Sequence, residues 1–343
     1  MQYRRLGNTD FNVSQYALGT MMMGSMGNND PAECLQMVHK ALHSGINLID
    51  TAPFYSNGES ESLLGDALQG MREQVVVSTK FTLNPDRSLP LKEEITQQVN
   101  ASLKRLRTDY IDIYHLARFD YTTPIAEILH VLNQLVAQGK IRAYGTSMFS
   151  SDQIVESQWQ SSEIGVPSFV SEQPNYSILS RSIEANVLPV CQRFQVGVIV
   201  WSPLEGSWLT GRYLTQEDLA GNNRISFSAK WTGRELDASS PAILAKLNSV
   251  QQLNKVAEEA GISLRHMAMA FATAHPAITS AIAGPRTLSQ LDDLIECSNL
   301  VLSNETLDKI DAIAAPGTNF SGVNLTAVPE GLRSVEMRRR EPV

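Results

Sequence analysis

The chain has 343 residues, of which 43% are hydrophobic and 19% charged, enough apolar sequence to bury a large core. Its formal net charge of -8 argues against non-specific binding to nucleic acid or to an anionic membrane surface.

Taken in order, residues 1–5 and 11–13 flank the turn-forming Gly7-Asn8-Thr9-Asp10 and read as a β-hairpin. An alternation of strands and helices then begins. Strand patterns fall at residues 16–20, 46–49, 75–78, 110–116, 141–147, 168–173, 196–202 and 278–283. Asp30-Pro31-Ala32-Glu33 opens the first helix with an N-cap, a first-turn proline and an N3 glutamate, and that helix runs to Ser44-Gly45. Further helical patterns lie at about 59–69, 91–106, 125–138, 151–160, 181–193, 243–259 with 263–274, and 287–298. Eight strands, each followed by a helix, is the count for a closed (β/α)₈ TIM barrel, an α/β fold. An open doubly wound sheet is the runner-up. No break in composition divides residues 1–343, so a single domain is expected, with one more amphipathic helix at 304–314. Residues 205–240 form the longest irregular stretch, of a length typical of functional lids, and 317–343 read as a polar tail or a loop across the barrel mouth.

The second strand, Ile46-Asn47-Leu48-Ile49, stops on Asp50 and leads through Thr51-Ala52-Pro53-Phe54 to Tyr55 in a polar loop. A carboxylate where a buried parallel strand ends marks a site, because the loops at the carboxyl ends of such strands carry the chemistry of α/β enzymes. The ordinary alternative for this stretch alone is a capping Asp and a half-buried Tyr. The third strand also stops on a charge, Val75-Val76-Val77-Ser78-Thr79-Lys80. Asp, Tyr and Lys together form a coherent device. A Tyr hydroxyl near pKa 10 is a poor proton donor at neutral pH, a Lys ammonium stabilises its phenolate, and Asp50 holds Lys80 in place.

Other chemistries find little support. Gly19 to Gly24 give half of a phosphate-loop pattern, but Ser25 and Met26 stand where Lys and Ser/Thr are needed. There is no GxGxxG after a strand, no HExxH and no GxSxG. His39 and His43 lie four apart on the first helix without a third ligand, so no metal is expected. Cys34, Cys191 and Cys297 stand far apart and read as thiols of a reducing compartment. Without a signal peptide or a long apolar run, a cytoplasmic protein is expected.

The chain resembles the aldo-keto reductases over nearly all of its length. The resemblance is carried by Asp50-Thr51-Ala52 with Tyr55, by Thr79-Lys80, and by Ser102-Leu103-Lys104-Arg105-Leu106 with Asp109-Tyr110-Ile111-Asp112. Gly139-Lys140-Ile141-Arg142 followed by Gly145-Thr146-Ser147 completes it. It implies a (β/α)₈ barrel that transfers a hydride from NADPH to a small aldehyde or ketone, with Tyr55 as proton donor. It further implies that Ser147 and Gln173 hold the nicotinamide carboxamide, that Trp201 stacks on the nicotinamide, and that Ser202, Pro203 and Leu204 begin the pyrophosphate loop. Gly284, Arg286, Gln290 and Asp293 would serve the phosphate and adenine end. From the residues themselves, an Arg at a helix start after a glycine is a ready phosphate site. Thr287 with Gln290 is also an ordinary capping box, which leaves Arg286 unexplained.

Three departures stand out. Ala117 takes the place where the family usually has a His that orients the substrate carbonyl. His115 lies on the same strand face but about 6.6 Å deeper, at about 3.3 Å per residue, and is expected to be a barrel-interior structural residue. Ala117 and Arg118 followed by Asp120 are similar to the branch that includes pyridoxal reductases. Met148 stands where Asn commonly follows Ser147, and Leu294 where Asn commonly meets the adenine. Two functions are therefore carried: an NADPH-dependent reductase of an aromatic or heteroaromatic aldehyde such as pyridoxal, and a nicotinamide-binding regulatory protein resembling potassium-channel β subunits. The sequence leaves oligomeric state open.

Overall fold

The computed structural model describes all residues except 85, 87, 118–121, 222, 232–235 and 321–343. Strands Tyr3–Arg5 (β1) and Asn12–Ser14 (β2) pair antiparallel as the expected hairpin. The next eight strands are Tyr16–Gly19 (β3), Leu48–Asp50 (β4), Val76–Phe81 (β5), Ile111–Leu116 (β6), Ile141–Thr146 (β7), Ser171–Glu172 (β8), Gly197–Val200 (β9) and Ile278–Ala283 (β10). They pair in parallel and in chain order, and β10 closes the ring on β3 through Ala281↔Tyr16. This is the closed barrel read from the sequence. β8 is shorter than the pattern at 168–173 indicates.

Helices Pro31–His43 (α1), Glu59–Ala67 (α2), Leu91–Leu106 (α3), Ile125–Ala137 (α4), Ser151–Ile164 (α5) and Val187–Phe194 (α6) connect β3 to β9. α1 begins as expected, with the Asp30 side chain accepting from the Ala32 N–H at 2.9 Å. Glu33 does not close a capping box there. Its carboxylate takes the Leu288 N–H and the Asn28 amide instead, and so ties α1 to the far end of the chain.

Between β9 and β10 the structure corrects the sequence reading. The stretch 205–240 is not wholly irregular: it contains a 3₁₀ segment at Glu205–Thr210, a 3₁₀ turn at Glu217–Leu219 and the helix Arg224–Trp231 (α7). Pro241–Glu259 (α8) and Leu264–Ala272 (α9) follow. After β10 come Leu288–Glu296 (α10) and Asn304–Ile313 (α11), and α11 packs against α8. Of the expected tail, residues 317–320 lie against the loop after β8, where the Phe320 N–H donates to the Leu179 carbonyl at 2.9 Å. Residues 321–343 lie outside the described residues, as do Arg118 and Asp120.

Strand alternation builds the barrel interior in layers. Ala17, Leu48, Val76, Ile113, Ala143, Ile199 and Ile282 form an apolar interior cluster with Leu6, Phe11 and Val13 of the hairpin. The hairpin thus plugs one end of the barrel. It sits so close to β9 that a Cβ on Gly7 would lie 2.5 Å from the Gly197 nitrogen, and Gly7 has φ +54, so only glycine fits. The intervening residues, among them Leu18, Ile49, Val77 and Tyr114, join the cluster beneath the helices. One alternation above the apolar layer the strands carry Asp50, Ser78, His115 and Gly145, and one above that Lys80, Ala117 and Ser147. Among the described residues, no helix is long and apolar enough to cross a membrane.

Glu172 on β8 is fully buried and accepts from the Thr146 hydroxyl at 2.5 Å and from the Phe149 N–H at 3.1 Å. Burial raises its carboxyl to about 7, only partly offset by those bonds and one from the Met148 backbone. A carboxyl whose pKa is higher folded than unfolded contributes its full stability below the unfolded value and loses it as pH rises through the folded one. Glu172→Gln cannot ionise. The stability of wild type relative to this variant should therefore fall, by on the order of 3 kcal/mol, between about pH 4.5 and pH 8. Denaturant unfolding at the two pH values checks this, and a difference that stays constant or grows with pH contradicts it.

Candidate active site

Asp50 ends β4 and Lys80 lies near the end of the neighbouring β5, so both project into the same end of the barrel. Both are almost fully buried. Lys80 Nζ lies 2.8 and 2.7 Å from the two Asp50 oxygens and donates to the Thr51 carbonyl at 2.9 Å. The Tyr55 hydroxyl is 3.5 Å from the same nitrogen. Tyr55 reaches it from a turn in which Ser56, Asn57 and Gly58 all have positive φ, a compact bend that folds the loop back over the strand ends. Burial raises the Tyr55 pKa; Asp50 adds to the rise and Lys80 opposes it. Tyr55 is thus a protonated phenol at neutral pH. Burial alone would lower Lys80, but Asp50 and Tyr55 outweigh it and keep the ammonium charged.

Asp50 collects two more donors, the Ser78 hydroxyl at 3.0 Å and the Gln173 amide at 2.8 Å. The Gln173 side chain is therefore joined to the Asp-Lys pair, and the Gln173 backbone carbonyl accepts from the Ser147 hydroxyl at 2.9 Å. His115 is fully buried, with ring nitrogens 3.0 Å from the Ser78 hydroxyl and 2.8 Å from the Ser171 hydroxyl. It does not reach the position of Ala117, whose small side chain ends that strand face. Met148 is held at φ +68, a left-handed conformation that suits Asn better than Met.

Trp201 follows β9, bridged to Asn175, and is half-buried. After it, Ser202, Glu205, Gly206 and Ser207 all have positive φ, so the backbone of this loop winds tightly past Pro203 and Leu204. The winding is anchored from beneath. The buried Glu205 takes Lys246 of α8 at 2.9 Å and the Ser177 hydroxyl at 2.7 Å. On the other side, Gly284 and the exposed Arg286 precede α10, whose N-cap Thr287 accepts from the Gln290 N–H. The Gln290 side chain accepts from the Arg286 N–H at 2.8 Å. Leu294 is buried in the core. Asp293 is engaged by Arg265 at 2.5 Å and His266 at 3.1 Å.

Arg224, the first residue of α7, is a candidate site residue absent from the sequence reading. One of its guanidinium nitrogens, Nη1, is buried without an acceptor. Burial holds its pKa below the usual value and the charge of Arg286 lowers it further. Two guanidiniums within electrostatic reach of each other, with no carboxylate on either among the described residues, fit a phosphate group. The sequence signal was an Arg at a helix start after Gly221 and Asn223, hidden because 205–240 read as irregular. As for metals, His39 is bonded to the Ala67 carbonyl and His43 to the His39 carbonyl. Among the described residues, His266, Asp293 and Glu296 bring three ligand atoms within 4.8 Å, but Arg265 already neutralises Asp293.

Comparison with known proteins agrees with this geometry. The model of the aldo/keto reductase family matches residues 16–315. The chain is 35% identical to the NADH-specific methylglyoxal reductase of Escherichia coli, over 87% of this chain and 94% of that protein. It is 31% identical to the aldo-keto reductase YhdN of Bacillus subtilis, over 91% of this chain and 93% of that one. A probable voltage-gated potassium channel subunit beta of Oryza sativa is 30% identical, over 91% and 96%. A parallel barrel with Asp50, Tyr55 and Lys80 converging at one end, in a chain matched along almost its whole length, is an oxidoreductase that belongs to the aldo/keto reductase family.

Proposed function

We propose that the protein is an NADPH-dependent reductase that converts an aldehyde or ketone to its alcohol, with Tyr55 as the proton donor. The observation that carries this reading is the contact of a charged, Asp-held Lys80 with a protonated Tyr55 hydroxyl. When bound, the reduced nicotinamide supplies the hydride to the carbonyl carbon. Tyr55 gives its proton to the carbonyl oxygen as negative charge develops there, and Lys80 stabilises the phenolate left behind. Asp50 fixes the ammonium where that charge forms.

Arg224 and Arg286 support NADPH over NADH, although a relative bears the name of an NADH-specific enzyme. Two cations without a carboxylate partner among the described residues match a 2′-phosphate, which NADH lacks. Ala117 supports the finer substrate reading. With a methyl group in place of an imidazole, the substrate must polarise its own carbonyl, as a ring aldehyde with an adjacent hydroxyl does through an internal hydrogen bond. Pyridoxal has that chemistry. The relatives named as potassium-channel subunits keep a regulatory role with slow turnover as the second reading, and steady oxidation of NADPH with aldehydes separates the two. Buried thiols at Cys34, Cys191 and Cys297 support a reducing, cytoplasmic setting.

Three outcomes are expected. Tyr55→Phe should lower kcat by about 10²- to 10⁴-fold while the NADPH Kd stays within about twofold; a variant that keeps a tenth of the activity points to another donor. NADPH should bind more tightly than NADH in Trp fluorescence titrations. Arg224→Ala and Arg286→Ala should each weaken NADPH roughly ten- to a hundredfold and leave NADH nearly unchanged, and equal losses for both cofactors contradict the assignment. Aromatic aldehydes with an adjacent hydroxyl should exceed aliphatic aldehydes of similar reactivity by about tenfold or more in kcat/KM; the reverse order sinks the substrate class.

A further inference from the structure

His115, Ser78 and Ser171 form a buried chain that ends on Asp50, and its hydrogen atoms can be assigned by elimination. The Ser78 oxygen lies 3.0 Å from Asp50 Oδ1 and 3.0 Å from His115 Nδ1. Asp50, an ion-paired carboxylate, only accepts, so the single Ser78 proton must point at it. Ser78 then has only lone pairs for His115, and Nδ1 must carry a hydrogen. The imidazole is neutral, because burial and the nearby Lys80 push its pKa down to about 3. Its Nε2 is therefore an acceptor, and the Ser171 hydroxyl donates to it at 2.8 Å. The other tautomer would leave two oxygens 3.0 Å apart without a hydrogen between them.

The barrel makes room for this arrangement. A Cβ on Gly145 would lie 2.3 Å from Ser171 Oγ and 2.7 Å from His115 Nε2, so the neighbouring strand has no side chain where the imidazole sits. The charged and titratable groups around the chain come from few elements. β4 brings Asp50, β5 brings Lys80, and Tyr55 stands beyond Lys80. Glu172, beside Ser171 on β8, turns the other way to Thr146 and Phe149.

We propose that His115 is a positioning residue for the reduction: by donating from Nδ1 to Ser78 it fixes the Ser78 proton on Asp50, and so sets how much of the Asp50 charge bears on Lys80 and Tyr55. This goes beyond an inert interior histidine, and it rests on the reading of Tyr55 as the acid. His115 touches no reacting atom. When the Ser78 hydroxyl is free to rotate, Asp50 loses a donor and more of its charge falls on Lys80. The ammonium then offers less to a Tyr55 phenolate, which becomes harder to form.

Two amides separate this role from mere filling of space. In His115→Asn the side-chain amide stands near the place of Nδ1 and can donate to Ser78. In His115→Gln it stands near the place of Nε2, reaching Ser171 instead, although Gln is closer to His in length. The first readout does not require turnover: the ionised fraction of Tyr55 at about pH 10.5, from NMR of tyrosine-labelled protein assigned with Tyr55→Phe. His115→Gln should reduce that fraction about threefold, a shift of about half a unit, and lower kcat three- to tenfold with the Kd for NADPH unchanged. His115→Asn should stay near wild type in both. Ser78→Ala should match His115→Gln, and the double variant should be no worse than either. Should His115→Gln fail to fold, Ser78→Ala, which removes only an oxygen, carries the test. An unmoved Tyr55 in His115→Gln or Ser78→Ala, equal behaviour of Asn and Gln, or additive losses in the double variant overturns the proposal. A wild type that reduces no carbonyl refutes the functional reading, and the Tyr55 measurement still decides the role of His115.

Discussion

The site depends on one buried carboxylate. Asp50 sits where solvation is lost, and an ion pair in such a place holds only if its remaining hydrogen-bonding positions are filled. Lys80 approaches both oxygens, and Ser78 and Gln173 donate to one of them. Removing one member of a buried pair typically costs about 3–5 kcal/mol, because the other charge is left uncompensated. The same set of donors keeps Lys80 fixed beside Tyr55, so stability and chemistry rest on shared contacts here. That is why residues that never meet the substrate, such as Ser78 and His115, have a bearing on the reaction.

The barrel provides this environment through its layers. An apolar layer capped by the hairpin excludes water from below, a polar layer lies above it, and the reacting groups stand at the strand ends. Charges below the site serve structure instead. Asp112 is buried between Arg72 and Arg142, each 2.7 Å away, and Glu61 between Arg105 and Thr79, each 2.6 Å away. Asp112 joins β6 to β7 and to the turn before β5, and Glu61 joins α2 to α3 and β5.

At the other end of the site the order of effects is reversed. Around Asp50 the protein satisfies its charge internally, whereas Arg224 feels the charge of Arg286 and neither has a carboxylate partner among the described residues. Like charges held together cost free energy unless an anion joins them. The loop after Trp201, with four positive-φ residues anchored by Glu205 on Lys246, borders the same region. A rigid backbone on one side and two guanidiniums on the other are the features expected where a phosphate-bearing ligand is gripped.

The barrel, the hairpin and the convergence of the candidate residues Asp50, Tyr55 and Lys80 were legible in the sequence because each is signalled locally. Period-two strands, capped helices and a charge at a strand end are properties of a few consecutive residues, and Asp50, Tyr55 and Lys80 lie within one strand-helix-strand unit. The stretch 205–240 misled, since Gly-rich sequence hid the short helix α7 and with it Arg224. Only the tertiary structure decided the pairings. That Gln173 turns to Asp50, that Glu205 finds Lys246, and that Ser78, His115 and Ser171 form one chain follows from the register and closure of the strands. These residues lie far apart along the chain, and which neighbour a polar side chain meets inside a barrel is set by the stagger of the strands that bring them together, a quantity that no local pattern contains.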